Sequence, residues 1–421
     1  MKVLLYNDSF PPLIDGVANT VVNYGSVITE KYGEAMVAVP KYPDADDSHY
    51  SFPVLRYASL ATEKLVGYRA GFPFGADSLR IQQDFKPDLL HSHCPVASTL
   101  MARAVRELTN VPMIFTYHTK FDIDFNRAIK NKFISEQCIK LMIKNIEACD
   151  DVWAVNEGAA ENLKSLGYKG EVTIMKNGVD IDRTPVSEEA IRNINTQWNL
   201  PDNVPVFLFV GRVMWYKGLK IILDGLKGIA EKGLDFRMVF VGDGDNRADV
   251  MKYSHELGLI DKCIFPGIIQ DRAVLKAWYT RADVFLLPSV FDNNPLVVKE
   301  AAACGTPSVL IENSSSADGV TDGYNGVLIP EDSSAMTEAL MRFYNDPEMA
   351  KRVGYAASQT LYCSWEDSIA KAYDRYNYIL DLHKRGELIK PKASMDGMIS
   401  MAVECYKGID KVKSIYRDDT V

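Results

Sequence analysis

The chain has 421 residues, nearly half of them hydrophobic, and a formal net charge of -9. That length supports two or three domains of about 150 residues, each able to bury a full-sized core. The basic residues form no tract, which excludes broad nucleic-acid binding, because neutralising a phosphate backbone takes a concentrated Lys/Arg surface.

The first apolar run, Val3 to Tyr6, meets Asn7-Asp8 at once and reads as a buried opening strand, not a signal peptide. The segment Asn7 to Val17 leaves that strand and enters a helix, and Gly16 permits close backbone approach to an anion at the helix start. Strand patterns recur at Met36 to Val39, Leu89 to His91 and Met113 to Thr116. His91-Ser92-His93 can place two imidazoles on one strand face, but no third metal ligand lies nearby in sequence. His118 follows the fourth strand. From Lys120 to Lys144 basic and apolar residues interleave, as they do on a domain helix with a charged outer face or on a helix lying on an anionic membrane. Val152 to Val155 and Val172 to Met175 complete the first half.

Asn177-Gly178-Val179-Asp180 is a turn signal, and the proline-bounded Pro201 to Pro205 marks the far side of a seam. Six more strand patterns follow: Val206 to Val210, Arg237 to Val241, Cys263 to Phe265, Val284 to Leu287, Ser308 to Ile311 and Gly326 to Ile329. Apolar strands alternating with helices predict two parallel sheets covered on both faces. Ligands of such folds sit beyond the carboxyl ends of the strands. Ser364 to Lys384 and Ser394 to Arg417 read as amphipathic helices packing back on the domains.

The residues at those strand ends carry the chemistry. After Val210 come Gly211 and Arg212, with Lys217 and Gly218 at the next helix, and a cation pair there can neutralise a diphosphate. Gly242-Asp243-Gly244-Asp245 follows the next strand. Arg247 stands where a dinucleotide fingerprint needs glycine, so the segment is a tight turn, and its D-x-D spelling is read as part of that turn. Leu287 to Pro307 is the strongest signal. Asn294 suits an N-cap and Pro295 the first helical position, so the helix would aim free N–H groups at an anion. Asp292 and Glu300, eight residues apart, can accept hydrogen bonds from sugar or ribose hydroxyls.

Taken in order, these segments resemble the large retaining GT-B glycosyltransferase family (glycosyltransferase family 4, "glycosyl transferases group 1"). The likeness runs from the opening Pro11-Pro12 and Asp15-Gly16-Val17 to about residue 330. The family's E-x7-E motif falls on Asp292 and Glu300, with Asp one methylene shorter than the usual Glu. The resemblance gives Arg212 and Lys217 the diphosphate, Asp292 the donor sugar, His118 a place beside the transferred sugar, and Glu300 the ribose. Gly16, Gly211, Gly242, Asn293, Asn294, Pro295 and Leu296 would line the donor site.

The resemblance implies an α/β GT-B architecture: two Rossmann-like domains, 1–185 on the acceptor side and 186–370 binding the nucleotide sugar, with helices 371–421 packing back. It implies a metal-independent retaining hexosyltransferase using a UDP- or GDP-linked sugar, no separate cofactor, and a glycan or lipid-linked acceptor. A sugar-nucleotide epimerase of the same fold and a non-catalytic sugar-nucleotide binder are the alternatives. Seven scattered cysteines without C-x-x-C spacing, and no apolar run of about 18 residues, predict a cytoplasmic protein, with segment 120–144 its candidate for peripheral contact with the inner membrane face.

Overall fold

A computed structural model describes residues 1–13, 15–62, 69–118, 131–292, 295–346, 348–388, 397 and 399–408. Its contacts divide the chain into two units, Met1–Asn177 with Trp365–Val421, and Gly178–Ser364.

The first unit is built on β1 (Lys2–Tyr6), β2 (Glu34–Pro40), β3 (Val54–Tyr57), the short pair β4 (Ser59–Leu60) and β5 (Ala70–Gly71), then β6 (Leu89–Ser92), β7 (Met113–Tyr117), β8 (Asp151–Ala154) and β9 (Thr173–Ile174). Seven of these form one parallel sheet in the order β3-β2-β1-β6-β7-β8-β9. The strands β1, β6 and β7 are buried along nearly their whole length, as strands of a sheet covered on both faces are. The edge strand β3 carries Arg56 and is only half-buried, so its pattern is too mixed to stand out in sequence. Helix Gly16–Lys31 is capped by Asp15, whose carboxylate accepts from the Val17 and Ala18 N–H groups. Helix Ala97–Thr109 has no cap of its own at Val96, and Asp8 supplies one from the end of β1 by accepting from the Ser98 N–H and hydroxyl.

The C-terminal helices pack on this first unit. Helix Trp365–Lys384 stacks Tyr373 on Tyr32 at 4.5 Å, and Ile399, Val403 and Tyr406 are buried in the first core.

The second unit has β10 (Val206–Val210), β11 (Arg237–Val241), β12 (Cys263–Gly267), β13 (Val284–Leu287), β14 (Ser308–Ile311) and β15 (Val327–Ile329). They form a parallel sheet in the order β12-β11-β10-β13-β14-β15. The order reverses between β10 and β13. Loops leaving those two strands therefore part to opposite sides and open a crevice at their carboxyl ends, the place where such sheets hold ligands. Among the described residues no helix is long and apolar enough to cross a membrane.

Candidate active site

The second unit brings three of the singled-out segments to that crevice. The loop after β10 is locked to the loop after β11 by backbone bonds: Gly211 N–H to the Val241 carbonyl, and Val213 N–H to the Asp243 carbonyl, both 3.0 Å. Gly242, at φ 127°, lies so close that a Cβ there would stand 2.0 Å from the Gly211 carbonyl oxygen. Only glycine fits that seam. Gly244 N–H closes onto the Asp243 carboxylate at 2.8 Å, so the D-x-D spelling is a turn in the structure, as its sequence suggests.

A second close approach joins the loops after β10 and β13. A short 3₁₀ turn, Trp215–Lys217, ends on Gly218 at φ 77°, and a Cβ there would stand 1.9 Å from the Pro288 carbonyl oxygen. This approach carries Lys217 to Asp292, and their side chains form an ion pair that is largely shielded from solvent, 13% and 16% exposed. Asp292 Oδ1 takes the lysine. Its other oxygen, Oδ2, is buried and has no hydrogen-bond partner among the described residues. Tyr216 and Phe291 meet edge to face beside the pair at 5.8 Å, with Phe291 half exposed. Ser316 pins the loop by donating to the Asp292 carbonyl. Arg212 is exposed just past Gly211, with no ion pair among the described residues.

The helix carrying the second carboxylate begins one residue later than its sequence suggests. Pro295, expected at the first helical position, is the N-cap residue, with extended ψ of 111°, and Leu296 opens the helix Leu296–Ala303. A proline ring fixes φ alone, and that φ serves a cap as well as a first turn. Asn293 and Asn294 lie outside the described residues. The N–H groups of Leu296 and Val297 fall in the first turn, where no intrahelical carbonyl serves them.

Glu300 is buried, and both its oxygens are engaged by residues the sequence reading missed. Arg272 donates to Oε1 at 2.6 Å and Tyr279 donates to Oε2 at 2.9 Å, both from the helix Arg272–Arg281. Burial and the neighbouring Glu300 charge push the Tyr279 phenol well above its usual range, so it stays a hydroxyl donor. Asp180 stands 3.6 Å from the same guanidinium. Arg272 and Tyr279 lie seven residues apart, two turns along one helical face, and that spacing is the one sequence signal that could have found them. Each Glu300 oxygen keeps a second lone pair for a ligand hydroxyl.

Gly16 and His118 belong to the first unit. Gly16 is the first residue of its helix, with open space where a Cβ would stand. His118 follows β7 and is buried, its Nε2 2.9 Å from His93 Nδ1. His91 bonds Tyr376 and Thr116 through its two nitrogens, at 2.5 and 2.7 Å. Burial pushes all three imidazoles down, His118 to about 3, so they are neutral at neutral pH. Among the described residues no three His, Cys, Asp or Glu side chains are placed to hold a metal ion.

Comparison with known proteins agrees with this layout. Residues 14–183 match the model described as Glycosyltransferase Family 4, and residues 190–360 match Glycosyl transferases group 1. The alpha-monoglucosyldiacylglycerol synthase of Streptococcus pneumoniae is 22% identical over 314 residues, 73% of this chain and 70% of that protein. The D-inositol 3-phosphate glycosyltransferase of Corynebacterium urealyticum is 26% identical over 351 residues, 78% of this chain and 80% of that protein. The fold matches the crystal structure of Anabaena Alr3699/HepE in complex with UDP, with a TM-score of 0.71, 18% identity, and coverage of 90% of this chain and 100% of that one. The two family models follow one another along most of the sequence, and the chain belongs to the family 4, group 1 glycosyltransferases of GT-B fold, enzymes that transfer sugars.

Proposed function

We propose that this glycosyltransferase moves a hexose from a UDP- or GDP-linked sugar to a hydroxyl of a glycan or glycolipid, with retention of anomeric configuration and without a metal. The observation that carries the proposal is the shielded Lys217–Asp292 pair, with Asp292 three residues before the Pro295 cap of the Leu296–Ala303 helix. Lys217, Arg212 and the helix start supply positive charge where a diphosphate departs, the kind of preorganised stabilisation that dominates many enzymatic rate enhancements. They take the part a divalent cation plays elsewhere, so the proposal includes no metal. Asp292 Oδ2 accepts a donor-sugar hydroxyl, and Glu300, braced by Arg272 and Tyr279, accepts from the ribose.

In the reaction the bond from the sugar anomeric carbon to the phosphate oxygen breaks. The acceptor oxygen bonds to that carbon on the same face, and the acceptor proton passes to the leaving phosphate oxygen. Retention, and the contacts of Gly16 with donor phosphate or acceptor and of His118 with the transferred sugar, are carried over from the family.

For the acceptor, the relatives' names mention a diacylglycerol glucoside and an inositol phosphate. Segment 119–130 lies outside the described residues. The helix that follows, Lys132–Ile146, exposes Phe133, Ile134 and Leu141 beside Lys132, Lys140 and Lys144. That combination fits peripheral contact with an anionic membrane holding a lipid-linked acceptor.

The test is a thermal-shift panel of UDP, GDP and ADP with their sugars. A ligand of the native state raises the melting temperature as its concentration passes its Kd. A rise with UDP- or GDP-linked sugar is expected, and no rise with any member overturns the proposal.

A further inference from the structure

The proposed donor site contains an imbalance. Lys217 already shares one of its N–H donors with Asp292, and the second Asp292 oxygen is buried without a donor among the described residues. A buried carboxylate oxygen with no partner is costly, and the cost is relieved only by a hydrogen-bond donor. A ligand entering here meets a cation and a carboxylate together, not a free cation.

An intact sugar nucleotide and the nucleoside diphosphate left after transfer differ at this spot in two ways. The sugar nucleotide brings hydroxyl donors and a diphosphate esterified at both ends. The product brings no hydroxyl there and carries an additional negative charge on its terminal phosphate. Beside Asp292, the first relieves the orphaned oxygen. The second leaves it unpaired and sets like charges against each other in a shielded site, where repulsion is stronger than in water.

We propose that Asp292 makes this site discriminate between donor and product, holding the sugar nucleotide while expelling the nucleoside diphosphate. The inference rests on the donor reading given above and adds a direction to it: loss of the sugar from the site turns Asp292 from a partner into a repelling charge. The short aspartate serves this role because Lys217 fixes its carboxylate through one oxygen, and the Tyr216 hydroxyl does not bond the other. Product release is thereby coupled to transfer.

The test compares affinities by calorimetry for UDP against UDP-glucose, and for GDP against GDP-mannose, in wild type, Asp292→Asn and Asp292→Glu. The asparagine keeps the shape and removes the charge, and the glutamate keeps the charge. Melting temperatures of all three establish that each is folded. In Asp292→Asn the diphosphate alone is expected to bind at least tenfold tighter than in wild type, while the sugar nucleotide binds no tighter. The ratio of the two affinities therefore collapses. Asp292→Glu is expected to preserve that ratio. If Asp292→Asn weakens both ligands equally, or leaves the ratio unaltered, the proposal is overturned while the donor reading stands. If wild type binds neither pair, the donor reading fails and the proposal fails with it.

Discussion

Gly218→Ala tests whether the approach of two loops, and not merely a left-handed backbone, places Lys217 on Asp292. Gly233 supplies an internal control. Both glycines have nearly the same conformation, φ 77° and 74°. A Cβ at Gly233 would meet nothing within 4 Å, whereas at Gly218 it would stand 1.9 Å from the Pro288 carbonyl oxygen. Alanine at either position costs about 1–2 kcal/mol for the left-handed conformation. At Gly218 the overlap with backbone adds about 1–3 kcal/mol, the usual range for overpacking, or forces the loops apart. At about 2–4 °C per kcal/mol for a unit of this size, Gly233→Ala should lower Tm by about 2–8 °C. Gly218→Ala should lower it by clearly more. The assay pairs thermal melts with calorimetric titration of the sugar nucleotide. Gly233→Ala should keep wild-type affinity, and Gly218→Ala should lose at least tenfold. Equal melting shifts with equal, unchanged affinities would refute the reasoning.

Three further outcomes are expected. Tyr279→Phe removes one donor to the buried Glu300 carboxylate and should weaken nucleotide binding about tenfold, the scale of a hydrogen bond to a charged group. A 2′-deoxynucleotide should lose less, and equal losses for both would detach Glu300 from the ribose. Acid should destabilise the first unit, because His91, His93 and His118 are held below their usual range and so bind fewer protons folded than unfolded. Stability is then full above the ordinary imidazole pKa of about 6.5 and falls as pH drops below it, by up to about 1.4 kcal/mol per pH unit for each histidine. Urea midpoints followed by Trp153 fluorescence should fall between pH 7 and 5, and a flat profile would contradict the burial argument. Phe133→Ser with Leu141→Ser should reduce co-sedimentation with anionic vesicles at low salt, and an undiminished signal, or none in wild type, would end the membrane proposal.

The second sheet was legible in the sequence almost to the residue. Strands β10, β11, β13 and β14 have the bounds their sequence pattern predicts, because strands buried on both faces are mostly continuous apolar runs. The strands β3, β4 and β5 were not legible, since each is short and partly exposed. The glycines of the candidate site were visible as a pattern, but their reason was not. Gly218 answers to Pro288 and Gly242 to Gly211, contacts made across 70 and 31 residues of chain. Arg272 and Tyr279 escaped notice because their partner, Glu300, lies on a different helix. The returning C-terminal helix was expected from its amphipathic pattern, but no local signal could show that Tyr376 would bond His91.

The most direct test of the account is calorimetric titration of a UDP- or GDP-linked sugar into wild type, Lys217→Ala and Arg212→Ala, with donor cleavage followed in the same samples. Each variant is expected to bind the donor at least tenfold more weakly and to cleave it more slowly by orders of magnitude, since a charge-assisted contact to the diphosphate has been removed. Wild-type affinity together with wild-type cleavage in Lys217→Ala would show that the diphosphate is held somewhere else.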